Sequence, residues 1–182
     1  MIYATTLLAL ATLTGCGEGE ADSQSESAAT TTTRTPRITD NSGRPQVTFD
    51  PCLDLPDSVL TQAGYDPATK KTADYPMEYT FLGCSYRTQV RQYSLSMLSG
   101  NVTFAEEVEK TAEYAQPIDI NGRNGLLEFN PSMKYACAVS LETDYGVLIL
   151  SRNLFKAGAP ESEWCAGLED TARLIEPLID RP

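Results

Sequence analysis

The sequence predicts an α+β fold, a mostly antiparallel sheet packed by helices and braced by two disulfides. Three observations lead there. Apolar and polar residues alternate through several short runs bounded by Gly, Pro and Asn, as in half-buried strands. Apolar residues recur at helical spacing near both ends of residues 46–182. Four cysteines, Cys52, Cys84, Cys137 and Cys165, stand about 30, 50 and 30 residues apart, a spacing suited to loop-closing bridges.

The first 45 residues stand apart from that folded unit. Residues 3–13 form an apolar run of about the length of a signal-peptide core and too short to span a bilayer of roughly 30 Å as a helix. The run ends in Leu13-Thr14-Gly15-Cys16, which resembles the lipobox at which bacterial lipoprotein precursors are cut and acylated. Residues 1–15 are thus expected to be a lipoprotein signal peptide, with Cys16 carrying the acyl chains. No Lys or Arg occurs before Cys16, so the basic segment that ordinarily precedes such a core is expected upstream of Met1. Residues 16–45 contain the acylated Cys and a tract of Ser, Thr, Ala, Glu and Gln without periodic apolar residues, and read as a disordered tether. Its early charges are acidic (Glu18, Glu20, Asp22, Glu26) and its later ones basic (Arg34, Arg37, Arg44). Flexible-chain statistics give such a tether a reach of about 30 Å.

Residues 46–182 have the size of one domain with one core. Asp50-Pro51-Cys52 leads into a short helix over 56–63, with Pro56 at its first turn and Gly64 as its stop. Residues 66–76 hold two prolines and the Lys70-Lys71 pair and read as turns. Residues 79–90 and 93–98 alternate as paired strands, with Tyr79, Phe81 and Gly83 on one face and Leu82, Cys84 and Tyr86 on the other. The Arg91-Gln92 step joins them.

Thr103 with Glu106 three residues on is a capping-box pattern opening a helix over 104–115. Its expected apolar stripe is Phe104, Val108, Ala112 and Ala115. Glu106, Glu107, Glu109 and Glu113 then form a solvated face, with Glu106 and Lys110 as an i,i+4 pair. Four further strands follow over 118–120, 126–129, 135–141 and 147–150, separated by Asn-Gly, Asn-Pro and Asp-Tyr-Gly turns. A final helix over 160–179 places Trp164, Leu168, Ile175 and Ile179 on the sheet, with Trp164 as a core anchor and Pro177 ending the helix late.

With Cys16 assigned to lipid, an even set of cysteines remains in an expected oxidising compartment, which implies two disulfides. Three pairings are open. Cys52–Cys84 with Cys137–Cys165 is preferred because it joins each end-lying helix to a nearby strand. A four-thiolate zinc site is disfavoured, since zinc ligands come in close C-x₂₋₄-C pairs.

The chain has no histidine. Ser-His-Asp and Cys-His nucleophile arrangements and His-based zinc sites are thereby removed. No phosphate-cradling glycine loop occurs, and Ser132-Met133-Lys134 has the wrong spacing for a Ser-Lys enzyme. Asp119 to Gly125 opens like a calcium loop, but Arg123 fills the third ligand slot and Asn124 the glycine slot. No catalytic residue, metal or cofactor is therefore assigned, and Glu128 and Tyr135 are the unremarkable carboxylate and phenol nearest to turns. A formal charge of −11 and a pI near 4.4 argue against nucleic acid and anionic membrane surfaces as partners. One ligand reading remains: Tyr79, Tyr86 and Tyr93, with Tyr75 nearby, gather beside Arg87 and Arg91, where aromatics and cations suit a glycan or an anionic headgroup.

The placement of these residues resembles actinobacterial lipoproteins carrying domain of unknown function 3558. The resemblance rests on Leu13-Thr14-Gly15-Cys16, the Ser/Thr-rich tract, Asp50-Pro51-Cys52-Leu53, Gly83-Cys84-Ser85-Tyr86, Cys137-Ala138-Val139 and Trp164-Cys165. It implies a cell-envelope lipoprotein with no assigned activity, held to the extracytoplasmic face of the cell membrane through Cys16. The expected role is a non-enzymatic binding or accessory module whose partner is an envelope protein or cell-wall component. The alternative is a carrier or sensor of a small apolar or glycan ligand. The lipobox reading predicts that Cys16→Ala moves the folded protein from the membrane to the soluble fraction on fractionation; continued membrane retention would defeat it.

Overall fold

The computed structural model describes residues 37–38, 43–76 and 78–179, so Cys16, the expected signal peptide and most of the expected tether lie outside the described residues. The described residues form one antiparallel sheet with a few short helices, an α+β arrangement dominated by strand. The strands are β1 (Asp66–Thr72), β2 (Tyr75–Pro76), β3 (Thr80–Arg87), β4 (Tyr93–Gly100), β5 (Ala115–Ile120), β6 (Arg123–Glu128), β7 (Ala136–Glu142) and β8 (Val147–Leu154). Their spatial order is β1-β3-β4-β8-β7-β6-β5, with β2 also paired to β3. The last strand thus returns to the centre, between β4 and β7. The α-helices are α1 (Asp57–Gln62), α2 (Phe104–Thr111) and α3 (Leu168–Ile175).

The pleat divides the sheet into two unlike faces. One is dry: Leu82, Cys84 and Tyr86 of β3, Leu95 and Met97 of β4, Leu148 and Leu150 of β8, and Cys137, Val139 and Leu141 of β7 belong to one buried cluster. The register keeps them on the same side, with Cys84 opposite Met97, Met97 opposite Leu150, and Leu150 opposite Val139. Val47, Phe49, Leu55 and Leu60 from the N-terminal side complete that cluster with Leu168, Ala172, Ile175 and Ile179 from the C-terminal side. The other face carries Ser85, Ser94, Ser96, Ser151 and Asn153 and has α2 near one end.

Each cover of the dry face is tied to the sheet covalently. Cys52, just before α1, is bonded to Cys84 of β3, and Cys165, just before α3, to Cys137 of β7. These are the pairs that the sequence favours among three. Sequence separations of 32 and 28 residues correspond to about 3 to 4 kcal/mol each in the chain-entropy model.

Several elements differ from the sequence expectation. Residues 66–72 form an edge strand instead of turns, because Asp66 pairs with Arg87 and Thr72 with Cys84 across a register irregularity. The C-terminal helix is broken: Glu161–Glu163 is a 3₁₀ turn and α3 begins only after Gly167, whose φ of 74° is a left-handed conformation that glycine adopts without penalty. Trp164 falls outside α3 yet is buried as an anchor, stacked 5.5 Å from Phe129 and tilted 5.3 Å from Tyr135, with its indole N–H donating to the Ala159 carbonyl at 3.0 Å. Gly83 is also fixed by packing, since a Cβ there would stand 1.8 Å from the Ala73 carbonyl oxygen.

The folded unit reaches into the expected tether. Arg37 donates to both oxygens of Asp50, which is fully buried, and also to Asp74 at 2.7 Å. Arg44 makes a two-point pair with Glu106 at 2.9 Å. These residues read as tether because short polar stretches lack periodic apolar residues, but two bidentate guanidinium–carboxylate pairs supply the fastening instead.

The β5–β6 hairpin turns through Asn121 and Gly122, both with positive φ, as an Asn-Gly turn requires. This explains the segment that begins like a calcium loop. Just beyond the turn, Arg123 is 2 % exposed at its side chain and meets the equally buried Glu176 at 3.0 Å. It also donates to the Glu142 and Ile179 carbonyls at 2.7 and 3.0 Å. Removing one partner of such a pair strands the other charge in the interior, so Glu176→Ala is expected to cost about 3 to 5 kcal/mol. The denaturation midpoint checks this, with Arg123→Met/Glu176→Leu expected to recover most of the loss.

Candidate functional site

The wet face becomes concave where α2 stands over β6, β7 and β8. The helix starts as its sequence dictates: the Thr103 hydroxyl accepts from the Glu106 backbone N–H at 3.2 Å, and the Glu106 carboxylate accepts from the Thr103 backbone N–H at 2.8 Å. The Arg44 guanidinium, followed by the Thr103 donors, holds the Glu106 carboxyl down at about 2. The helix turns Glu107 and Thr111 inward, both buried, and leaves Val108 and Ala112 exposed. Glu107 is therefore not part of a solvated face. Its carboxylate is paired with Lys110 at 3.1 Å, while Glu106 pairs with Arg44 and not with Lys110. The helix expected over 104–115 ends at Thr111, so Ala112 only caps it and Ala115 opens β5, and the expected apolar stripe is reduced to Phe104 and Val108.

Opposite Glu107, β6 presents Glu128. Its carboxylate accepts a hydrogen bond from the Ser140 hydroxyl of β7. Burial pushes the Glu128 carboxyl above the usual carboxylate range, and the charge of Glu107 adds to that rise. Ser140 and Lys110 act the other way. Between these groups lies a cleft of about 260 Å³, lined by Glu107, Lys110 and Tyr114 on one wall and Glu128 on another. Ala136, Ala138, Ile149 and Ser151 form its sheet-side lining, and Asn130 and Met133 come from the β6–β7 connection. Met133 is half exposed there, at 51 %.

This arrangement offers hydrogen-bond acceptors above an apolar patch. Two carboxylates face one ammonium group, so the cleft is net acidic and suits a ligand that donates hydrogen bonds and carries an apolar part. Among the described residues, no group of three or more His, Cys, Asp or Glu side chains is placed to hold a metal ion. No helix among them is long and apolar enough to cross a membrane.

The family described as Protein of unknown function (DUF3558) matches residues 11–178. The chain belongs to that family. No curated protein and no solved structure matches it.

In this DUF3558 chain, the two arginines singled out from sequence, Arg87 and Arg91, share one surface cleft, but the tyrosines expected beside them do not join them. Tyr86 is 1 % exposed and points into the dry core, where its hydroxyl donates to the Pro51 carbonyl at 3.0 Å and burial raises it to about 12. Arg87, the next residue, falls on the opposite face and is exposed, with its guanidinium 5.5 Å above the Phe155 ring. Tyr93 lies under Arg152 at 4.1 Å. Tyr79 is at the far end of β3, beneath Arg44 at 4.3 Å, and borders a separate recess with Tyr75, Glu78, Phe81 and Leu98. Strand alternation separates Tyr86 from Arg87, and the length of β3 separates Tyr79 from both. Tyr135 is structural, its hydroxyl accepting from the Gly158 N–H at 3.1 Å.

None of the cleft residues stands out in the sequence, where Glu128 is only an unremarkable carboxylate near a turn. Glu107 hides among four glutamates, and only the Glu107–Thr111 spacing within one helix face signals that a polar stripe turns inward. A raised carboxyl favours the protonated native state, so the stability tied to it is present below the ordinary carboxylate value and is lost as pH rises through the native value. Glu128→Gln is accordingly expected to raise the melting temperature at pH 7, with the gain shrinking as pH falls to about 4. A gain that does not depend on pH would contradict this assignment.

Proposed function

We propose that the protein is a non-enzymatic, lipid-anchored envelope protein of the actinobacterial lipoprotein type that holds a small ligand in the cleft between α2 and the wet sheet face. The single observation that carries the ligand-holding role is the cleft itself, with its apolar floor and its two buried carboxylates. The dry side of the sheet is filled by side chains, so in the carrier or sensor reading the ligand sits on the wet face, where this cleft opens.

The anchor is supported by Leu13-Thr14-Gly15-Cys16 at the end of an apolar run and by the polar tract that follows it. In that reading the mature chain begins at Cys16, is acylated there, and works on the extracytoplasmic face of the cell membrane. Two disulfides agree with an oxidising compartment. The ligand would carry hydroxyl or amino donors toward Glu107 and Glu128 and place apolar atoms on Ile149, Met133, Ala136 and Ala138.

Native mass spectrometry of the protein purified from its own envelope tests the role. Wild type is expected to retain a mass of a few hundred daltons that is lost on mild denaturation. Ala138→Trp, which fills the floor of the cleft, is expected to release it while keeping the fold. A wild-type chain without retained mass, together with a protein captured by cross-linking at α2, would replace the carrier reading with the partner-protein one.

A further inference from the structure

At the end of the sheet where β3 turns into β4 and β8 finishes, cations and apolar side chains gather in a way that net charge conceals. Lys70 and Lys71 of β1, Arg87 of β3 and Arg91 of the turn line a surface cleft of about 260 Å³, with Ala68 and Thr69 between them. Lys70 donates to the Cys52 carbonyl at 3.1 Å, which holds that ammonium group against the body. The nearest acid in register is Asp66, opposite Arg87, and it accepts from the Ala68 N–H at 3.0 Å. By contrast Arg37, Arg44, Arg123 and Arg173 are each in ion pairs with carboxylates.

Two apolar side chains protrude beside these cations. Val90, in the β3–β4 turn, is 71 % exposed, more than the other large hydrophobic residues exposed in the fold, and Phe155, just past β8, is 55 % exposed. They belong to one tip, because the Phe155 N–H donates to the Gln92 carbonyl at 2.9 Å and Arg87 lies over the Phe155 ring. Apolar residues ringed by arginine and lysine form the side-chain set of interfacial membrane binding: the apolar groups enter the headgroup boundary while the cations meet lipid phosphates.

We infer that this tip docks the domain onto an anionic phospholipid surface, with lipid phosphates in the cleft lined by Lys71, Arg87 and Arg91, and Val90 and Phe155 inserted. Charge complementarity selects an anionic surface. The choice of a membrane over a soluble anion rests on the lipid-anchor reading and on the two apolar side chains, for which a free anion has no use. The expectation drawn from composition, that an acidic chain avoids anionic membranes, is thereby revised: 25 acidic and 14 basic residues set the mean, but the fold collects four of the cations on one edge. Docking there would lay that end of the sheet on the membrane.

The test uses the full chain with Cys16→Ala, so that acylation plays no part, and vesicles of phosphatidylcholine with or without phosphatidylglycerol. Binding is expected only where the anionic lipid is present and is expected to weaken as salt is raised. Arg87→Gln/Arg91→Gln should weaken it roughly 25-fold, at about fivefold per cation. Val90→Ser/Phe155→Ser should weaken it as well, whereas Arg173→Gln, on α3, should not. The indole introduced by Val90→Trp should be quenched by brominated acyl chains, which reads insertion in a protein whose tip cations are intact. No binding to anionic vesicles, equal binding to both vesicle types, an equal loss with Arg173→Gln, or an unquenched indole would each overturn the proposal. So would competition by inorganic phosphate with no effect of the apolar substitutions, which would make the cleft a soluble-anion site. A wild-type chain that fractionates with membranes while the Cys16→Ala chain ignores vesicles leaves the anchor standing and removes only the docking tip.

Discussion

Helices of six and eight residues do not persist alone in water, where even alanine-rich peptides need about 12 to 15 residues to hold a marginal helix. The dry face of this sheet is nevertheless covered by α1 and α3, which are of those lengths. What keeps them in place is the pair of disulfides at their entrances, Cys52–Cys84 and Cys137–Cys165, which join each cover to a strand inside the sheet. The apolar cluster lies between surfaces that these two bonds tie together. Without that constraint, Leu60 and Leu168 would have to recruit their helices by burial alone, at about 2 kcal/mol per leucine, against the ordering entropy of every residue in the segment.

Ion pairs repeat the same logic where no cysteine is available. Arg37 fastens the N-terminal arm through Asp50 and Asp74, Arg44 fastens the start of α2 through Glu106, and Arg123 fastens the C-terminal segment through Glu176. The Arg37–Asp50 and Arg44–Glu106 contacts use the planar two-point donor set of arginine, whereas Arg123 gives its Nε–H to Glu176 and its other donors to backbone carbonyls. A small domain with little helix thereby secures its irregular segments by long-range polar clasps. The Arg123 clasp is the most deeply buried of the three and donates to two backbone carbonyls as well.

The sheet was legible in the sequence and the helices less so, for a physical reason. Strand alternation is a local signal, and the division of Tyr79, Phe81 and Gly83 from Leu82, Cys84 and Tyr86 survives in the structure because the pleat allows nothing else. The Thr103–Glu106 capping box was equally local and equally readable. The C-terminal helix was over-extended because Trp164, Leu168 and Ile175 keep helical spacing across Gly167, and only the left-handed backbone there shows the break. The edge strand β1 was missed because it is held by pairing to β3 and not by burial of its own side chains. The cleft was largely illegible: Glu107, Glu128 and Ile149 lie on three elements whose adjacency arises from the return of β8 to the sheet centre, which no local pattern encodes. The tyrosines expected beside Arg87 and Arg91 scatter for the converse reason, since closeness in sequence places alternate strand residues on opposite faces, whereas the two arginines stay together.

The three helices are not fastened alike. Covalent bonds precede α1 and α3, whereas α2 is held by its cap, by Arg44 and by the Lys110–Glu107 pair. Proteins open locally in units whose free energies range from near zero to that of global unfolding, and a short helix with mainly polar attachments belongs to the low end of that range. In this fold that helix is also a wall of the cleft. The element with the fewest covalent ties is therefore the one that walls the cleft, while the disulfide-bound side of the sheet lies behind it. Covalent and polar fastening are thus assigned to opposite faces of one sheet, and the two turns of α2 can loosen without disturbing the disulfide-bound core.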